Sequence, residues 1–330
     1  MFGPPLGIAT LISVALASPY PFPRHTGCGG KHHEPGYHFR DRHGNFSVES
    51  GNLTRYYSVQ VPEHYNPHRG YGLIFDYHGN TDTSLEQRNN SQYQNYPASS
   101  DYVIIYPQGY ERHWQGPSYA VPGINDLQFT TDLLTHIKSN YCIDPNRVYA
   151  SGKSNGAGFV DLLACSDNGD AFAAFAMASA ALYTDTSLSA CSKRRAVLES
   201  HGDNDTTIPY HPTEAGSGGV LPDVGQWIHW WGERDCGPNA QAAVAVDEAD
   251  AYNITTYSCH QYRDVVKHYH FAKLDHCWPD AQGDNYDALY SSHNCIATQV
   301  LDYTSVVLDF FGRWNLENAP RNVAPSTWWV

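Results

Sequence analysis

The stretch Gly152-Lys153-Ser154-Asn155-Gly156 decides the fold of this chain. It has the pattern G-x-S-x-G, and it stands between segment 147–151 (RVYAS), which is typical of a strand, and segment 159–165, which is typical of a helix. A serine on such a sharp strand-to-helix turn is presented at the top of a sheet, where the helix N-terminus favours developing negative charge. The two glycines allow the backbone to turn tightly. We therefore predict a nucleophile elbow with Ser154 as the nucleophile.

Strand-like and helix-like segments alternate along the rest of the chain. Strands are predicted at 56–61, 72–77, 102–106, 147–151, 171–178, 196–200 and 265–271, and helices at 127–141, 159–165, 224–233 and 300–314. This alternation predicts a mostly parallel central sheet with helices on both faces, which is the α/β class. The chain shows neither an internal repeat nor a Pro/Ser/Thr linker. We therefore expect one catalytic domain over 18–330, with an N-terminal arm (18–45) and a short C-terminal tail.

The composition excludes several classes of partner. The chain has 330 residues, 41% of them hydrophobic and 16% charged, with a formal net charge of -14. An acidic chain without a basic cluster is a poor partner for nucleic acid, because phosphate contacts require Lys and Arg. After the N-terminal segment there is no apolar stretch of transmembrane length. We expect a monomer that has no membrane partner and needs no cofactor or metal.

The N-terminus and the cysteines both indicate secretion. Residues 1–17 resemble a signal peptide, with an apolar run at 8–17 and small residues at Ala15 and Ala17 before the cleavage point. Eight cysteines after such a segment indicate disulfides. Two pairs that close short loops are our first candidates, Cys236 with Cys259 and Cys277 with Cys295. Four sequons are candidate glycosylation sites, at Asn45, Asn52, Asn89 and Asn253. We therefore expect an extracellular glycoprotein.

Histidines in the predicted arm offer an alternative that involves a metal. The arm is rich in Gly, Pro and His and contains five histidines: His25, His32, His33, His38 and His43. Their spacing matches no zinc pattern, and a disulfide accounts better for Cys28. A polar surface arm held by Cys28 is the favoured interpretation.

A serine nucleophile needs a base and an acid that orients it, and in this kind of fold they follow in the order Ser, then Asp or Glu, then His. The chain offers His201-Gly202-Asp203-Asn204-Asp205 after the strand at 196–200, and Asp275-His276-Cys277 after the strand at 265–271. Both segments follow strands at the edge where α/β sheets place their sites. His276 is therefore the candidate base. By position alone, either Asp203 or Asp205 fits the acid.

Two backbone amides are expected to bind the oxyanion. One belongs to Asn155, the residue after the nucleophile, and the other to Asn80 in the His78-Gly79-Asn80 loop after the strand at 72–77. Aromatic residues near the predicted site loops are candidates for stacking on a substrate ring. They are Trp114, Tyr210 and Trp278, although each could equally serve packing.

Several motifs together resemble those of a known family. In chain order they are HGN (78–80), YPQG (106–109), ASGKSNGAG (150–158), HGDNDTTIPY (201–210), WGERDCG (231–237) and DHCWP (275–279). This set is similar to the fungal feruloyl esterases of carbohydrate esterase family 1, which resemble secreted polyhydroxybutyrate depolymerases, and it spans residues 28 to 315 or so. The resemblance implies an α/β-hydrolase fold. It also implies that Asp205, the last residue of an H-G-x-x-D element, is the triad acid and that His276 is the triad base.

Two departures from the family pattern concern the substrate. Asp275 stands where a Gly often precedes the triad His, and Lys153 precedes the nucleophile, so the Cys-Ser and His-Cys pairing of tannase-like esterases is absent. The resemblance implies hydrolysis of ferulic or p-coumaric esters on arabinoxylan. An acetylxylan esterase or a polyhydroxyalkanoate depolymerase with the same triad are the alternatives. A non-catalytic α/β-hydrolase-like binding protein is the alternative of another class, and the presence of all three triad residues argues against it.

Overall fold

The computed structural model describes residues 27–39, 46–246, 251–259, 262–291, 293–296 and 301–321. The predicted signal peptide (1–17) and the sequon at Asn45 lie outside the described residues, as does most of the C-terminal tail. Of the predicted arm, residues 27–39 are described. Within these ranges no helix is long and apolar enough to cross a membrane.

The described strands form one sheet. Numbered along the chain, the strands are β1 (Gly36–His38), β2 (Phe46–Ser50), β3 (Leu53–Val61), β4 (Tyr71–Tyr77), β5 (Tyr102–Gln108), β6 (Ile143–Lys153), β7 (Ala174–Ala178), β8 (Ala196–Gly202), β9 (Ala242–Val246), β10 (Tyr252–Cys259) and β11 (Tyr262–Phe271). Their order across the sheet is β1-β3-β5-β4-β6-β7-β8-β11-β10-β9, and β2 pairs with β3 beside this path.

The centre of the sheet is parallel and covered on both faces. Strands β5, β4, β6, β7, β8 and β11 run parallel to their neighbours in this order. Every residue of β4, β7 and β8 is buried, which requires packed layers on both sides of the sheet. The α/β-hydrolase class and the mostly parallel central sheet predicted from the sequence are confirmed.

Both ends of the sheet are antiparallel, which the sequence pattern did not reveal. Strands β1 and β2 pair antiparallel with β3, and β3 pairs antiparallel with β5. At the other end β10 pairs antiparallel with both β11 and β9. The residues of β10 are mostly half-buried and those of β9 are exposed. Strand β10 therefore lacks the continuous apolar run by which the central strands were recognised, and the apolar run of β9 (AAVAV) is short and exposed.

Six α-helices lie in the described ranges: α1 (Ser84–Ser91), α2 (Asp126–Asn140), α3 (Asn155–Ala164), α4 (Val224–Cys236), α5 (Tyr286–Tyr290) and α6 (Tyr303–Arg313). Helix α2 begins after Asn125, whose side chain accepts a hydrogen bond from the backbone N–H of Gln128 at 2.9 Å. Its buried face includes Phe129, Leu133 and Ile137, the helical spacing that predicted it. The short helices α1 and α5 carry no such apolar stripe and were not predicted.

All eight cysteines are paired. The disulfides join Cys28 to Cys142, Cys165 to Cys191, Cys236 to Cys259, and Cys277 to Cys295. The last two pairs are those expected from the short loops they close. The first pair ties the described part of the arm to the start of β6, as proposed for Cys28.

The three described sequons differ in exposure. Asn52 is exposed in the turn between β2 and β3, whereas Asn89 in α1 and Asn253 in β10 are half-buried. A glycan needs open solvent around the acceptor side chain. Asn52 is therefore the best placed of the three, and its glycosylation stays a prediction.

Candidate active site

Ser154 lies at the junction of β6 and α3 in strained backbone. Its φ of 57° and ψ of -121° fall in a region that non-glycine residues rarely adopt. The glycines on either side make this turn possible. A Cβ at Gly156 would lie 2.2 Å from the backbone oxygen of Tyr77, and one at Gly152 would lie 2.8 Å from the backbone of Gly156. Helix α3 can therefore pack closely against β4, and Ser154 is presented at the end of β6.

One chain of hydrogen bonds joins Ser154, His276 and Asp205. The Oγ of Ser154 lies 2.8 Å from Nε2 of His276, and Nδ1 of His276 lies 2.7 Å from Oδ2 of Asp205. The carboxylate accepts the Nδ1 proton, which leaves Nε2 free to accept the serine proton. Asp203 points elsewhere, with its Oδ1 2.6 Å from Nε2 of His270. Of the two candidate acids, the structure therefore brings only Asp205 to His276.

The loops that carry the acid and the base meet because their strands are parallel neighbours. Strand β8 pairs with β11, so both loops leave the same edge of the sheet. The backbone N–H of Asn204 donates to the carbonyl of Leu274 at 3.2 Å. Asp275, which departs from the family pattern, accepts a hydrogen bond from the backbone N–H of Asn294 at 2.7 Å through its side chain. Asp275 therefore anchors the loop of His276 to the segment that follows α5.

The electrostatics of the three residues suit proton transfer. Burial lowers the pKa of His276 below its ordinary 6.5, although Asp205 opposes this effect. Burial alone would raise the pKa of Asp205, but His276 and His201 outweigh it and hold that pKa well below the ordinary range. At neutral pH the site therefore holds a neutral imidazole next to an ionised carboxylate.

The two predicted oxyanion donors lie in segments next to the serine. Gly79 and Asn80 line the same cleft as Ser154, and Asn155 is the first residue of α3. The side chain of Asn155 points away from the cleft, where its Oδ1 accepts the backbone N–H of Trp114 at 2.9 Å. The side chain of Asn155 is thus held by a hydrogen bond to the backbone of Trp114. Asn155 would therefore bind an oxyanion through its backbone N–H.

His78 holds the loop that contributes Asn80. Its Nδ1 donates to the carbonyl of Gly79 at 2.7 Å, and its Nε2 accepts the backbone N–H of Gly109 at 2.9 Å. Burial lowers the pKa of His78 to about 3, so the ring is neutral, as an acceptor at Nε2 requires. The histidine of the HGN motif therefore joins the loops of two motifs, HGN and YPQG.

The structure contradicts the prediction that Trp114 and Trp278 stack on a substrate. Trp114 is fully buried, its ring is stacked on Phe159, and its Nε1 donates to the carbonyl of His78 at 2.9 Å. Trp278 is 1% exposed, and its Nε1 donates to Oγ1 of Thr304 at 2.9 Å. Both indoles are packing residues, because each ring faces the core and each N–H has found an internal acceptor.

Tyr210 is also a packing residue, which contradicts its predicted role. It is 7% exposed, its ring lies 3.8 Å from that of His270 in a stacked arrangement, and its hydroxyl is 3.0 Å from Nε2 of His268. One face and the hydroxyl of Tyr210 are thus engaged with the protein. Proximity in sequence to a site loop did not indicate the direction of the side chain.

The cleft beside Ser154 and His276 is lined by residues that the sequence did not reveal. It has a volume of about 330 Å³, and Tyr286 and Tyr290 of α5 form part of its wall. Tyr290 is 74% exposed, and its ring lies 5.0 Å from that of Tyr286. Helix α5 has only five residues, too few to show a periodic pattern.

A buried ion pair fixes α5 to the nucleophile elbow. Nζ of Lys153 lies 3.1 Å from Oδ1 of Asp287, and both side chains are buried. The second carboxylate oxygen of Asp287 accepts the backbone N–H of Trp278 at 2.9 Å. Asp82 also lines the cleft, and burial raises its pKa to about 6 even though Lys153 opposes the shift. Lys153, which departs from the tannase-like pattern, therefore forms an ion pair with Asp287 next to the nucleophile.

One group among the described residues could in principle hold a metal. Asp161, Cys165 and Asp185 lie close together. The sulfur of Cys165 is bonded to Cys191, and both carboxylate oxygens of Asp185 bind the guanidinium of Arg234. Two of the three ligands are thus already engaged, and the group does not fit a metal site.

Comparison with known proteins places the chain among esterases. A family model described as "Putative esterase" matches residues 50–268, which is more than half of the chain. The chain is 29% identical over 168 residues to the bifunctional acetylxylan esterase/xylanase XynS20E of Neocallimastix patriciarum, covering 51% of this chain and 23% of that protein. It is 27% identical over 179 residues to feruloyl esterase D of Neurospora crassa, covering 51% of this chain and 54% of that protein.

A solved structure supports the fold. The acetyl xylan esterase from Aspergillus awamori superimposes with a TM-score of 0.54 at 15% identity, covering 81% of this chain and 98% of that one. At this identity the likeness concerns the fold alone. The aligned region spans about half of the feruloyl esterase and about a quarter of the bifunctional enzyme. The family match and the feruloyl esterase relative agree with the resemblance seen in the motifs, and the chain therefore belongs to this esterase family as a feruloyl esterase-like member.

Proposed function

We propose that the chain is a serine esterase that hydrolyses carboxylic esters by acyl transfer. The observation that carries this proposal is the unbroken hydrogen-bonded chain from Asp205 through His276 to Ser154, with distances of 2.7 and 2.8 Å, at the wall of an open cleft. A nucleophile, a base and an orienting acid within hydrogen-bond reach of one another are the arrangement that such chemistry requires. A binding protein would not need all three.

In the proposed reaction the Oγ of Ser154 attacks the ester carbonyl carbon while Nε2 of His276 takes the hydroxyl proton. The negative charge that develops on the carbonyl oxygen is bound by the backbone N–H groups of Asn155 and Asn80. The intermediate collapses, and the alcohol leaves with the proton from His276. Water then attacks the acyl-serine, again with His276 as base, and releases the acid and the free serine.

The proposed substrate is a feruloyl or p-coumaroyl ester of plant cell-wall polysaccharide. The feruloyl esterase relative supports it, and so does the aromatic wall of the cleft. The hydroxyl of Tyr286 donates to Glu86 at 2.9 Å, which holds its ring in place, while Tyr290 stands exposed beside it. Such a pair of rings can pack against the planar cinnamoyl group.

A small acetyl ester is the second candidate. One relative is named as an acetylxylan esterase, and the cleft of about 330 Å³ also contains charged groups, Asp82 and Lys153. A short acyl group would leave the tyrosine rings uncovered. The two candidate substrates therefore differ in whether their acyl group contacts the tyrosine rings in the wall of the cleft.

Hydrolysis of methyl ferulate and of 4-nitrophenyl acetate by the full chain tests the proposal. Ser154→Ala should abolish both activities, and Asp205→Asn should lower kcat by roughly 10⁴-fold. Asp203→Asn is the matched control, because this residue lies in the same loop but faces His270, and it should stay near the wild-type rate. Equal losses at positions 203 and 205 would contradict the assignment of the acid. No hydrolysis of either ester would contradict the esterase proposal.

Two further variants separate the candidate substrates. Tyr290→Ala should lower kcat/KM on methyl ferulate by on the order of tenfold and leave the acetate unchanged, because only the aromatic acyl group contacts the ring. Leu289→Ala is the control, since Leu289 is 60% exposed on the same helix. An unchanged value on ferulate would favour the acetyl ester.

We also propose that the protein acts outside the cell. Four disulfides with no free cysteine are typical of an oxidising compartment. The predicted signal peptide (1–17) and the exposed Asn52 are part of this proposal. N-terminal sequencing of protein from the medium, together with its mass before and after deglycosylation, tests both predictions. Retention in the cell with residues 1–17 intact would contradict it.

A further inference from the structure

A second histidine contacts Asp205, at the same carboxylate oxygen that binds His276. His201 is fully buried near the end of β8. Its Nδ1 lies 3.0 Å from Oε1 of Glu199. Its Nε2 lies 2.8 Å from the carbonyl oxygen of Ile208 and 3.4 Å from Oδ2 of Asp205. Both ring nitrogens therefore face oxygen atoms, and the proposed reaction uses neither of them.

The neighbours of His201 determine its charge. A neutral imidazole carries one N–H, and its other nitrogen presents a lone pair that needs a donor. The carbonyl of Ile208 can only accept, and so can the ionised carboxylates of Glu199 and Asp205. With both carboxylates ionised, both nitrogens of His201 carry protons, which makes the ring a cation. Two carboxylates beside it compensate the cost of burying that charge.

We propose that His201 is a buried imidazolium that acts as a positioning residue for the triad. It holds Oδ2 of Asp205 towards His276, and its positive charge offsets part of the negative charge of Asp205. The inference rests on the proposed function, because it concerns how His276 stays available as a base. With less negative charge beside it, His276 remains unprotonated to lower pH.

The two carboxylates beside His201 have further polar neighbours. Oδ1 of Asp205 accepts the backbone N–H groups of Thr207 and Ile208 at 2.9 and 2.8 Å. The other oxygen of Glu199 lies 2.7 Å from Nδ1 of His268. The titratable groups that surround His201 and its two carboxylates are His268 and His270 on β11, Tyr210, Tyr303 on α6, Lys153 and His276.

The pKa values agree with the geometry. Burial alone would lower the pKa of His201, but Glu199 and Asp205 outweigh it and raise this pKa to about 10. Burial would raise the pKa of Glu199, but His201 and His268 hold it at about 2. A base whose pKa is raised and an acid whose pKa is lowered are both charged at neutral pH. The charges of Glu199, His201 and Asp205 thus alternate along the network.

Nuclear magnetic resonance of the unmodified enzyme tests the charge without any use of activity. The protein is labelled with ¹⁵N in its histidines, and His201→Gln identifies the signals of this ring by their loss. We expect two protonated ring nitrogens for His201 at pH 8, where solvent-exposed histidines are neutral. A single protonated nitrogen at pH 8 would overturn the proposal.

The pH dependence of kcat/KM on 4-nitrophenyl acetate tests the consequence for His276. Gln at position 201 can still donate a hydrogen bond towards Asp205 but carries no charge. The acid limb of the profile should therefore move to higher pH, by on the order of 0.5 to 1 unit for a charge at this range. Asp203→Asn is the matched control and should leave the limb in place.

A second variant guards against misfolding. His201→Gln leaves two buried carboxylates without their cation, so His201→Gln combined with Glu199→Gln removes one opposite charge as well. This double variant should shift the acid limb in the same direction but by less, because Glu199 contacts His201 whereas His201 contacts Asp205, the direct partner of His276. A residue with only a packing role would lower kcat and leave the limb unmoved, and this result would overturn the inference. Failure of the esterase proposal would instead appear as inactivity of the unmodified enzyme, while the resonance result for His201 would stand.

Discussion

The disulfide between Cys277 and Cys295 should control activity as well as stability. Cys277 directly follows His276, and the bond closes a loop, with a sequence separation of 18, that carries α5. It therefore fixes the base and the aromatic wall of the cleft together. Replacing both cysteines with Ala removes the bond. The pair Cys236 and Cys259, with a separation of 23, is the matched control, because it joins α4 to β10 away from the cleft.

The two changes should cost similar amounts of stability. Loops of these lengths predict a loss of about 3 kcal/mol of unfolding free energy in either case, because the unfolded chain regains nearly the same entropy. For a domain of this size the loss corresponds to a fall in Tm of roughly 5–10 °C. Thermal unfolding of the two double-Ala variants measures it.

The activities of the two variants should differ. The distance of 2.8 Å between Ser154 and His276 depends on the loop that the Cys277–Cys295 bond holds. A misplacement of about 1 Å in such a site can lower the rate on the order of 10²-fold. At 20 °C, where both variants are folded, we expect kcat/KM on methyl ferulate to fall 10- to 100-fold for the Cys277/Cys295 variant. The control variant should stay within about twofold of the wild type.

Equal kinetic losses in the two variants would refute this reasoning, because they would show that activity follows global stability alone. An unchanged kcat/KM in the Cys277/Cys295 variant would refute it as well. In that case the contacts of Asp275 with the segment after α5 would hold the loop without the bond.

Three further predictions concern buried groups and the elbow. Lys153→Met should lower the unfolding free energy, measured by urea titration, by about 3–5 kcal/mol, because it leaves Asp287 buried without its cation. The double variant Lys153→Met with Asp287→Asn should recover part of this loss. Burial raises the pKa of Asp76 from 3.8 to about 7, so the folded form retains a proton that the unfolded form loses. The contribution of Asp76 to the unfolding free energy should therefore decline by about 3 kcal/mol as the pH rises from 4 to 7. Denaturation of Asp76→Asn at both pH values should lack this decline, and a slope parallel to that of the wild type would refute it. Gly156→Ala should reduce kcat on the order of 100-fold or more, since its Cβ would lie 2.2 Å from the backbone of Tyr77 and displace the elbow; a normal rate would contradict the close packing of α3.

Much of the fold could be predicted because its signals are local. The central strands β4, β5 and β7 are buried on both faces, so they appear as apolar runs. Helix α2 shows an apolar face at helical spacing. The elbow at Ser154 was recognisable because strand, turn and helix follow one another within a few residues. The half-buried strand β10 and the five-residue helix α5 lack such signals, and they were missed.

The lining of the cleft could not be predicted, because the direction of a side chain depends on distant partners. Trp114 and Trp278 stand next to site motifs in the sequence, yet both rings point into the core, where other segments supply their acceptors. Tyr290 belongs to no motif but lines the cleft, since the pair Lys153 and Asp287 brings α5 to the elbow. These contacts join residues that are 26, 36 and 134 positions apart in the sequence.

For the triad, the local sequence pattern limited which residues could take part, and long-range packing decided which side chains meet. Chain order and strand position in the sequence were enough to select Ser154 and His276 and to limit the acid to two residues, Asp203 and Asp205. From the residues alone, either Asp203 or Asp205 could be the triad acid, and only the family resemblance favoured Asp205. The pairing of β8 with β11 places the two loops side by side, and the turn after β8 directs Asp205 to His276 and Asp203 to His270. Two side chains separated by one residue can face different partners because the backbone direction in a turn is set by the tertiary contacts around it.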